Sequence, residues 1–115
     1  MMNLNELKQR IAEFRDERDW KQFHNPKDLS QAISIESSEL LEHFLWISQK
    51  DSYAIVKKKK TEIADEMADI FAYLLSLSDI TEIDLEEALL NKLEKNKIKY
   101  PIEKAKGISK KYTEL

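Results

Sequence analysis

Acidic side chains stand in two pairs, and the members of each pair are three residues apart: Glu36 with Glu39, and Glu66 with Asp69. Residues at this spacing share one side of an α-helix, so each pair would present both carboxylates to the same neighbour. An ionised carboxylate at an apolar position is unfavourable unless it is paired or bound to a cation. Two such pairs therefore predict a carboxylate cluster that binds a metal ion.

The composition indicates which metal would suit this cluster. The chain has no cysteine and only two histidines, so oxygen atoms are the available ligands. Oxygen ligands favour a hard cation, which we expect to be Mg²⁺, with Mn²⁺ as a possible substitute. The alternative is that both pairs lie on solvent-exposed helix faces, where acidic residues are common.

The apolar pattern argues against that alternative, because the acids fall within or beside apolar arcs of two predicted helices. On the second helix the arc consists of Leu29, Ala32, Ile33, Leu40 and Phe44. On the third helix it consists of Ile63, Met67, Ile70, Leu74 and Leu77, with Tyr73 beside Glu66. If these arcs pack together, the four acids converge between the helices.

Four helices and a C-terminal tail are the elements that the sequence predicts. The first spans residues 3–19, the second 26–47 after Asn25, the third begins between 51 and 61 and ends near 78, and the fourth follows Asp84 and ends before Pro101. Asn25 and Asp84 are favourable N-cap residues, and the residue before a proline avoids the helical region. The lysine run 57–60 is expected to be a solvated face or the edge of a loop.

Length and composition limit the classes of protein. The 115 residues fit one domain spanning 1–115, and a single glycine with two prolines argues for helices over a β-sandwich. The absence of cysteine excludes disulfides, thiolate metal sites and a cysteine nucleophile. A net charge of −3 offers no footprint for nucleic acid, and no apolar run suits a signal peptide or membrane span, so we expect a cytoplasmic protein.

Basic and aromatic residues complete the candidate site. Lys92, Asn96 and Lys99 continue the predicted inner face of the fourth helix, where they would suit phosphate groups behind a bound metal. The alternative is lysines that extend to solvent at a helix end. Aromatic rings that could stack on a nucleobase, or simply pack in a core, are Trp20, Phe23, His24, Trp46 and Tyr73.

The acid pairs in the stretches 36–39 and 66–69 resemble the E-x-x-E and E-x-x-D signature of MazG-type nucleotide pyrophosphohydrolases, in particular the branch of dCTP pyrophosphatases. Stretches 17–26, 44–46, 92–101 and 110–115 support the resemblance, which covers nearly the whole chain. Two departures stand out. Ile35, Ser37 and Ser38 replace glycines that relatives often carry, and Ile11 stands where some relatives have histidine, which leaves the base contact open.

The resemblance implies an all-α fold, a four-helix MazG-like bundle completed by oligomerisation to a dimer or tetramer. It implies Mg²⁺-dependent hydrolysis of a nucleoside triphosphate, preferably dCTP-like, to the monophosphate and pyrophosphate, as removal of unwanted nucleotides. The metal ligands would be Glu36, Glu39, Glu66 and Asp69. The base and sugar would meet Trp20, Lys21, Gln22, Phe23, His24, Trp46 and Tyr73, and the phosphates would meet Lys92, Asn96, Lys99 and Tyr100.

The catalytic base is expected to be Glu36 first and Glu62 second, since Glu62 lies one turn before Glu66. Two other functions compete with this reading. A di-iron carboxylate bundle needs Glu-x-x-His on two helices, and neither His24 nor His43 has a glutamate three residues before it. A non-catalytic helical interaction or regulatory module would explain the apolar faces but not the inward acids.

Overall fold

The computed structural model describes all residues from 1 to 115 and contains helices but no strands. The α-helices are α1 (Leu4–Glu17), α2 (Pro26–Glu42), α3 (Gln49–Lys58), α4 (Lys60–Thr81), α5 (Leu85–Lys99) and α6 (Ile102–Ala105). One-turn 3₁₀ helices occupy Lys21–Phe23 and Tyr112–Glu114. The predicted all-α class is confirmed, and no helix is both long and apolar enough to cross a bilayer.

The predicted count of four helices is wrong, because the structure has six α-helices. Lys59 leaves helical geometry at φ −116° and ψ 33°, and this break separates α3 from α4 where one helix was expected. A one-turn helix, α6, also forms in the predicted tail after Pro101. The second helix ends at Glu42 rather than near residue 47, and Trp46 then adopts a left-handed backbone with φ 62°.

The predicted helix starts are confirmed by side-chain caps. The side-chain oxygens of Asn3, Asn25 and Asp84 accept hydrogen bonds from backbone N–H groups three residues later, at the starts of α1, α2 and α5. Each cap satisfies one of the N–H groups that a helix start leaves without a partner. These local interactions fix where the helices begin, and the boundaries in turn fix the direction in which each side chain points.

The chain divides into two compact units, Met1–Glu82 and Ile83–Leu115. In the first unit, α4 packs against α1, α2 and α3, and most extensively against α2. Its apolar core is small, since only Leu29, Ile63 and Leu75 are fully buried hydrophobic residues. The predicted arc of α2 faces inward as expected, whereas Met67 in the predicted arc of α4 is 58% exposed.

The second unit consists of α5, α6 and the C-terminal 3₁₀ turn. The rings of Tyr100 and Tyr112 meet edge to face with centroids 6.0 Å apart, and the Lys99 ammonium lies 4.7 Å from the centre of the Tyr112 ring. These contacts join the C-terminal segment to the end of α5. The predicted inner face of α5 is not buried within the chain, because Leu89 is 61% exposed.

Candidate active site

Three carboxylates converge between α2 and α4. Ligand atoms of Glu36, Glu39 and Glu66 all lie within 4.8 Å of one another, and all three residues are half-buried. Glu36 and Glu39 lie one turn apart on α2, and Glu66 faces them from the middle of α4. This convergence is the arrangement that the helical spacing predicts, with three of the four expected acids in the cluster.

The cluster contains oxygen atoms that have no hydrogen-bond donor. Oε2 of Glu36 and Oε2 of Glu66 are both buried and unpartnered. Burial and the neighbouring carboxyl groups of Glu66 and Glu39 raise the pKa of Glu36 from its ordinary 4.5 to about 7. Burying a carboxylate oxygen without a hydrogen-bond donor costs free energy. A bound divalent cation would offset that cost. The available metal ligands are all carboxylate oxygens, and this set of ligands fits Mg²⁺ or Mn²⁺.

Asp69 and Glu62 stand apart from this cluster. Asp69 is exposed and is not one of the three converging acids, but its charge acts on Glu36 and Tyr73 and raises the pKa of each. Glu62 is exposed on the first turn of α4. The structure therefore brings three predicted metal ligands together and leaves the fourth at the edge of the site.

A cavity of about 410 Å³ lies on one side of the acids and is lined by Glu39, Glu42, His43, Lys59 and Glu66. Lys59 is half-buried there, unlike its exposed neighbours in the lysine run. The run was predicted to be a solvated face or a loop edge, and Lys59 lies at the break between the two helices. The break between α3 and α4 is what sets this one lysine against the acid-lined cavity.

A second cavity of about 400 Å³ has aromatic walls and includes Trp20, His24, Tyr73 and Asp69 in its lining. Asp69 and Tyr73 belong to the same face of α4 as Glu66, so this cavity adjoins the carboxylates. Burial and the nearby acids raise the pKa of Tyr73. The walls are flat rings, which suits a planar heterocycle.

The segment after α1 places two of these rings. Asp19 adopts a left-handed backbone with φ 53°, and the Trp20 N–H then donates to the Arg15 carbonyl at 3.0 Å. This turn brings the Trp20 ring edge to face against Phe14, with centroids 5.8 Å apart. His24 follows the 3₁₀ turn and keeps its Nδ1 buried without a partner, while burial and the Arg15 charge lower its pKa.

Arg15 is the lining residue of this cavity that the sequence reasoning missed. It is only 4% exposed, its Nε and Nη2 donate to the Asp16 carboxylate, and its Nη1 donates to Asp79 at 2.9 Å. The bond to Asp79 joins α1 to α4. The sequence did indicate that Arg15 could be buried, because Arg15 lies four residues after Ile11 on the apolar side of α1.

Other predicted nucleotide contacts lie outside the aromatic cavity. Lys21, Gln22 and Phe23 form the exposed 3₁₀ turn, and the Gln22 amide donates to Asp19 rather than toward the cavity. Trp46 is 94% exposed in the turn after α2. Within the chain, the aromatic cavity therefore gathers Trp20, His24 and Tyr73 from the predicted set, and the contacts of the others stay predictions.

The predicted phosphate ligands all belong to the C-terminal unit. Lys92 is exposed on α5, and the Lys99 ammonium contacts the Tyr112 ring. Asn96 and Tyr100 are half-buried and line a cavity of about 500 Å³ within that unit. Their role toward phosphate stays a prediction.

Comparisons with known proteins agree on one family. The model of the MazG-like family matches residues 31–115. Mouse and human proteins named dCTP pyrophosphatase 1 are each 35% identical over 114 residues, which is 97% of this chain and 67% of theirs. A crystal structure of a pyrophosphatase from Archaeoglobus fulgidus superposes with a TM-score of 0.84 at 43% identity, covering 88% of this chain and 94% of that one.

Proposed function

The chain belongs to the MazG-like family, and from that premise we propose that it hydrolyses a nucleoside triphosphate to the monophosphate and pyrophosphate. Relatives named as pyrophosphatases at 35% and 43% identity support an enzyme that cleaves phosphoric anhydride bonds. The chain is accordingly a hydrolase, and the proposal concerns its metal, its nucleotide and the roles of its residues.

One observation carries the proposal. Two carboxylate oxygens, on Glu36 and Glu66, are buried on facing helices without a donor. A helical protein that used this face only for packing would be more stable with apolar residues there. A cation bound by these oxygens would attract the triphosphate of a nucleotide, whose base would occupy the adjoining aromatic cavity.

We assign the metal to Glu36, Glu39 and Glu66, with Asp69 as the fourth ligand from the edge of the cluster. Mg²⁺ is the proposed cofactor, with Mn²⁺ as its substitute, because every available donor is a carboxylate oxygen. When bound, such a cation neutralises charge on phosphate oxygens and lowers the pKa of a coordinated water. The acids themselves orient that cation from two rigid helices, which fixes where the phosphates lie.

Hydrolysis also needs a group that accepts a proton from the attacking water. Glu36 is the first candidate, because it is one of the three converging acids, and burial and its acidic neighbours raise its pKa to about 7. Glu62 is the second candidate, one turn before Glu66 but exposed and outside the three converging acids. The water oxygen bonds to the α- or the β-phosphorus, and the bond from that phosphorus to the oxygen that bridges the two breaks. The leaving pyrophosphate or monophosphate, respectively, keeps the bridging oxygen and the electron pair.

The nucleotide is proposed to extend from the aromatic cavity across the acids. Trp20, His24 and Tyr73 would contact the base and sugar, with further contacts from Lys21, Gln22, Phe23 and Trp46. Triphosphate charge would be neutralised by Lys92 and Lys99, with hydrogen bonds from Asn96 and Tyr100. A dCTP-like substrate is the first choice because two mammalian relatives are named for dCTP.

Self-association is proposed because the chain alone leaves much apolar surface exposed. Along α2 and the turn that follows it, Ile35 is 58%, Leu41 67% and Leu45 56% exposed, and on α4 Met67 is 58% exposed. Exposed apolar area of this extent on a helical unit is typical of an oligomer interface. A dimer or tetramer would bury it, as predicted from the resemblance.

We propose removal of unwanted nucleotides in the cytoplasm as the physiological role, without nucleic acid or membrane as a partner. The alternative, a non-catalytic helical interaction module, is favoured by the same exposed apolar surface. It offers no reason for buried carboxylate oxygens without donors.

A pyrophosphate-release panel across all dNTPs, NTPs and modified dCTP analogues, with and without Mg²⁺, tests the proposal. We expect release only with metal, and with dCTP or a close analogue hydrolysed fastest. Thermal melting with Mg²⁺ and a non-hydrolysable dNTP analogue separates the alternatives, because a ligand that binds only the folded state raises Tm. No release from any nucleotide, and no shift with metal and analogue together, would favour the interaction module.

A further inference from the structure

We propose that Arg15 determines base specificity by donating a hydrogen bond to a carbonyl oxygen of the nucleobase in the aromatic cavity. The inference rests on the proposed function for the identity of the ligand, a nucleotide, and adds the residue that selects among bases. Arg15 lines the cavity, is 4% exposed and was not among the residues expected to bind substrate.

The hydrogen bonds of the guanidinium leave donors available. An arginine carries five N–H donors and no acceptor. Three of the five are engaged in the structure, two with the Asp16 carboxylate and one with Asp79. Two N–H groups therefore remain on a buried, planar cation at the wall of a cavity, where an oxygen acceptor of a ligand would complete its hydrogen bonding.

The two carboxylates also hold the guanidinium in place. Its contacts with Asp16 and Asp79 measure 2.8 Å and 2.9 Å, and they come from α1 itself and from α4. A donor fixed on both sides loses little entropy when a ligand binds, so it discriminates strongly between acceptors and non-acceptors. Arg18, by contrast, is 42% exposed; it donates to the Phe14 carbonyl at 2.9 Å, and its ion pair with Glu17 lies at the surface.

The chemistry of the donor indicates which bases it accepts. Cytosine, thymine, uracil and guanine each carry an exocyclic carbonyl oxygen. Adenine has none: its exocyclic group is an amino donor, and its acceptors are nitrogens within the ring. Where adenine places its amino group at the position of the carbonyl oxygen of another base, the free N–H groups of Arg15 lose that acceptor, and the loss is costly in a desolvated site. The unpartnered Nδ1 of His24 lines the same cavity and is available to a second polar atom of the base.

The experiment compares kcat/KM for dCTP, dTTP, dGTP and dATP in the wild type, in Arg15→Met and in the double variant Arg15→Met/Asp79→Asn. The double variant removes the arginine and one of its partners, so that it folds even if the single variant does not tolerate an unpaired Asp79. Arg10→Met is the matched control, because it removes the same charge from an exposed position of α1.

We expect the wild type to prefer at least one carbonyl-bearing base over adenine by about tenfold to a hundredfold, the range for a hydrogen bond to a charged donor. Both Arg15 variants should bring that ratio close to one, mainly through KM, and Arg10→Met should leave it unchanged. A wild type that uses dATP as well as the others overturns the inference. So does a variant that loses the same factor with all four nucleotides, because a purely structural role predicts that result.

Binding of dCMP, dTMP, dGMP and dAMP without metal, measured by calorimetry, separates this inference from the proposed function. If the enzyme hydrolyses no triphosphate but binds carbonyl-bearing monophosphates through Arg15, the proposed function fails and the base recognition stands. If hydrolysis occurs with a selectivity that ignores Arg15, only the inference fails. Absence of both hydrolysis and binding overturns both.

Discussion

The N-terminal unit buries charge in two places, and the two places differ in how the charge is satisfied. On the aromatic side, Arg15 is nearly inaccessible, yet two carboxylates engage three of its donors. Between α2 and α4, the half-buried Glu36 and Glu66 each have one buried carboxylate oxygen without a hydrogen-bond donor. The guanidinium of Arg15 is therefore held by carboxylates of the protein itself. The carboxylates of the acid cluster, by contrast, need a cation from solution.

This difference separates a preorganised recognition element from a site for a cation. A satisfied buried cation is ready to donate to a ligand with little rearrangement, whereas unsatisfied carboxylates stay unfavourable until a cation binds. Removing a carboxylate should accordingly have opposite effects on stability in the two places.

Removing one carboxylate from the metal site should abolish hydrolysis. Glu39→Gln or Asp69→Asn should lower kcat/KM by at least about a hundredfold, the scale for losing electrostatic stabilisation at the reacting group. Helix content by circular dichroism should not change, because neither side chain is part of the apolar core. Asp65→Asn, which removes an exposed acid of α4, is the control. Activity retained in Glu39→Gln would disprove the metal assignment.

Removing a carboxylate from the arginine site should destabilise the protein. Asp79→Ala leaves the buried guanidinium with Asp16 alone and breaks its bond from α1 to α4. Asp79 is 35% exposed, so we expect a loss of about 1–3 kcal/mol in the free energy of unfolding by urea, less than for a fully buried pair. Glu94→Ala, which breaks an exposed pair with Lys97, should cost under about 0.5 kcal/mol. Equal losses of unfolding free energy in Asp79→Ala and Glu94→Ala would show that the burial of Arg15 adds nothing to the strength of its ion pair.

Removing a carboxylate from the metal-free acid cluster should stabilise the protein at pH 8. The pKa of Glu36 is raised to about 7, so between about pH 4.5 and 7 the folded state binds more protons than the unfolded state. The free energy of unfolding must therefore fall as pH rises through this window. Glu36→Gln should recover about 1–2 kcal/mol after allowance for solvent screening.

The measurement is Tm against pH in the presence of a chelator. The slope between pH 5 and 7 should flatten in Glu36→Gln, and excess Mg²⁺ should flatten it in the wild type. Glu13→Gln, an exposed change on α1, should keep the wild-type slope. The groups that face Glu36 are Glu39, Glu66 and Asp69. A slope unchanged by Glu36→Gln would show that another group titrates.

Trp46 lies outside both regions and should affect binding more than stability. It is 94% exposed with a left-handed backbone, so Trp46→Ala should change the free energy of unfolding by under about 0.5 kcal/mol. If its ring stacks on a base, nucleotide binding should weaken about fivefold or more. Trp46→Phe keeps a ring and should retain most of the affinity. A variant that unfolds would place Trp46 in a structural interface instead.

The sequence alone predicted the acid cluster well and the arginine site not at all. Glu36, Glu39 and Glu66 were recognisable because each acid interrupts the apolar pattern of its own helix. Arg15 was hidden among charged neighbours, and its partner Asp79 lies 64 residues away. Phe14, the apolar residue directly before Arg15, is 49% exposed, whereas the charged Arg15 is 4% exposed.

The helix break at Lys59 was equally beyond sequence reasoning. No glycine or proline marks the lysine run, so nothing local predicts that α3 and α4 separate there. The break turns one lysine toward an acid-lined cavity while its neighbours stay exposed. Intrinsic helix propensity sums over a segment and does not mark the residue at which one helix ends and the next begins.

The order of residues along the chain determined the all-α class, the caps at Asn3, Asn25 and Asp84, and which acids share a helix face, because all of these depend on spacings of three or four residues. Tertiary structure decided which charges are satisfied. Whether a buried carboxylate or guanidinium finds a partner depends on side chains from distant parts of the chain meeting at hydrogen-bonding distance, and local spacing does not specify such meetings.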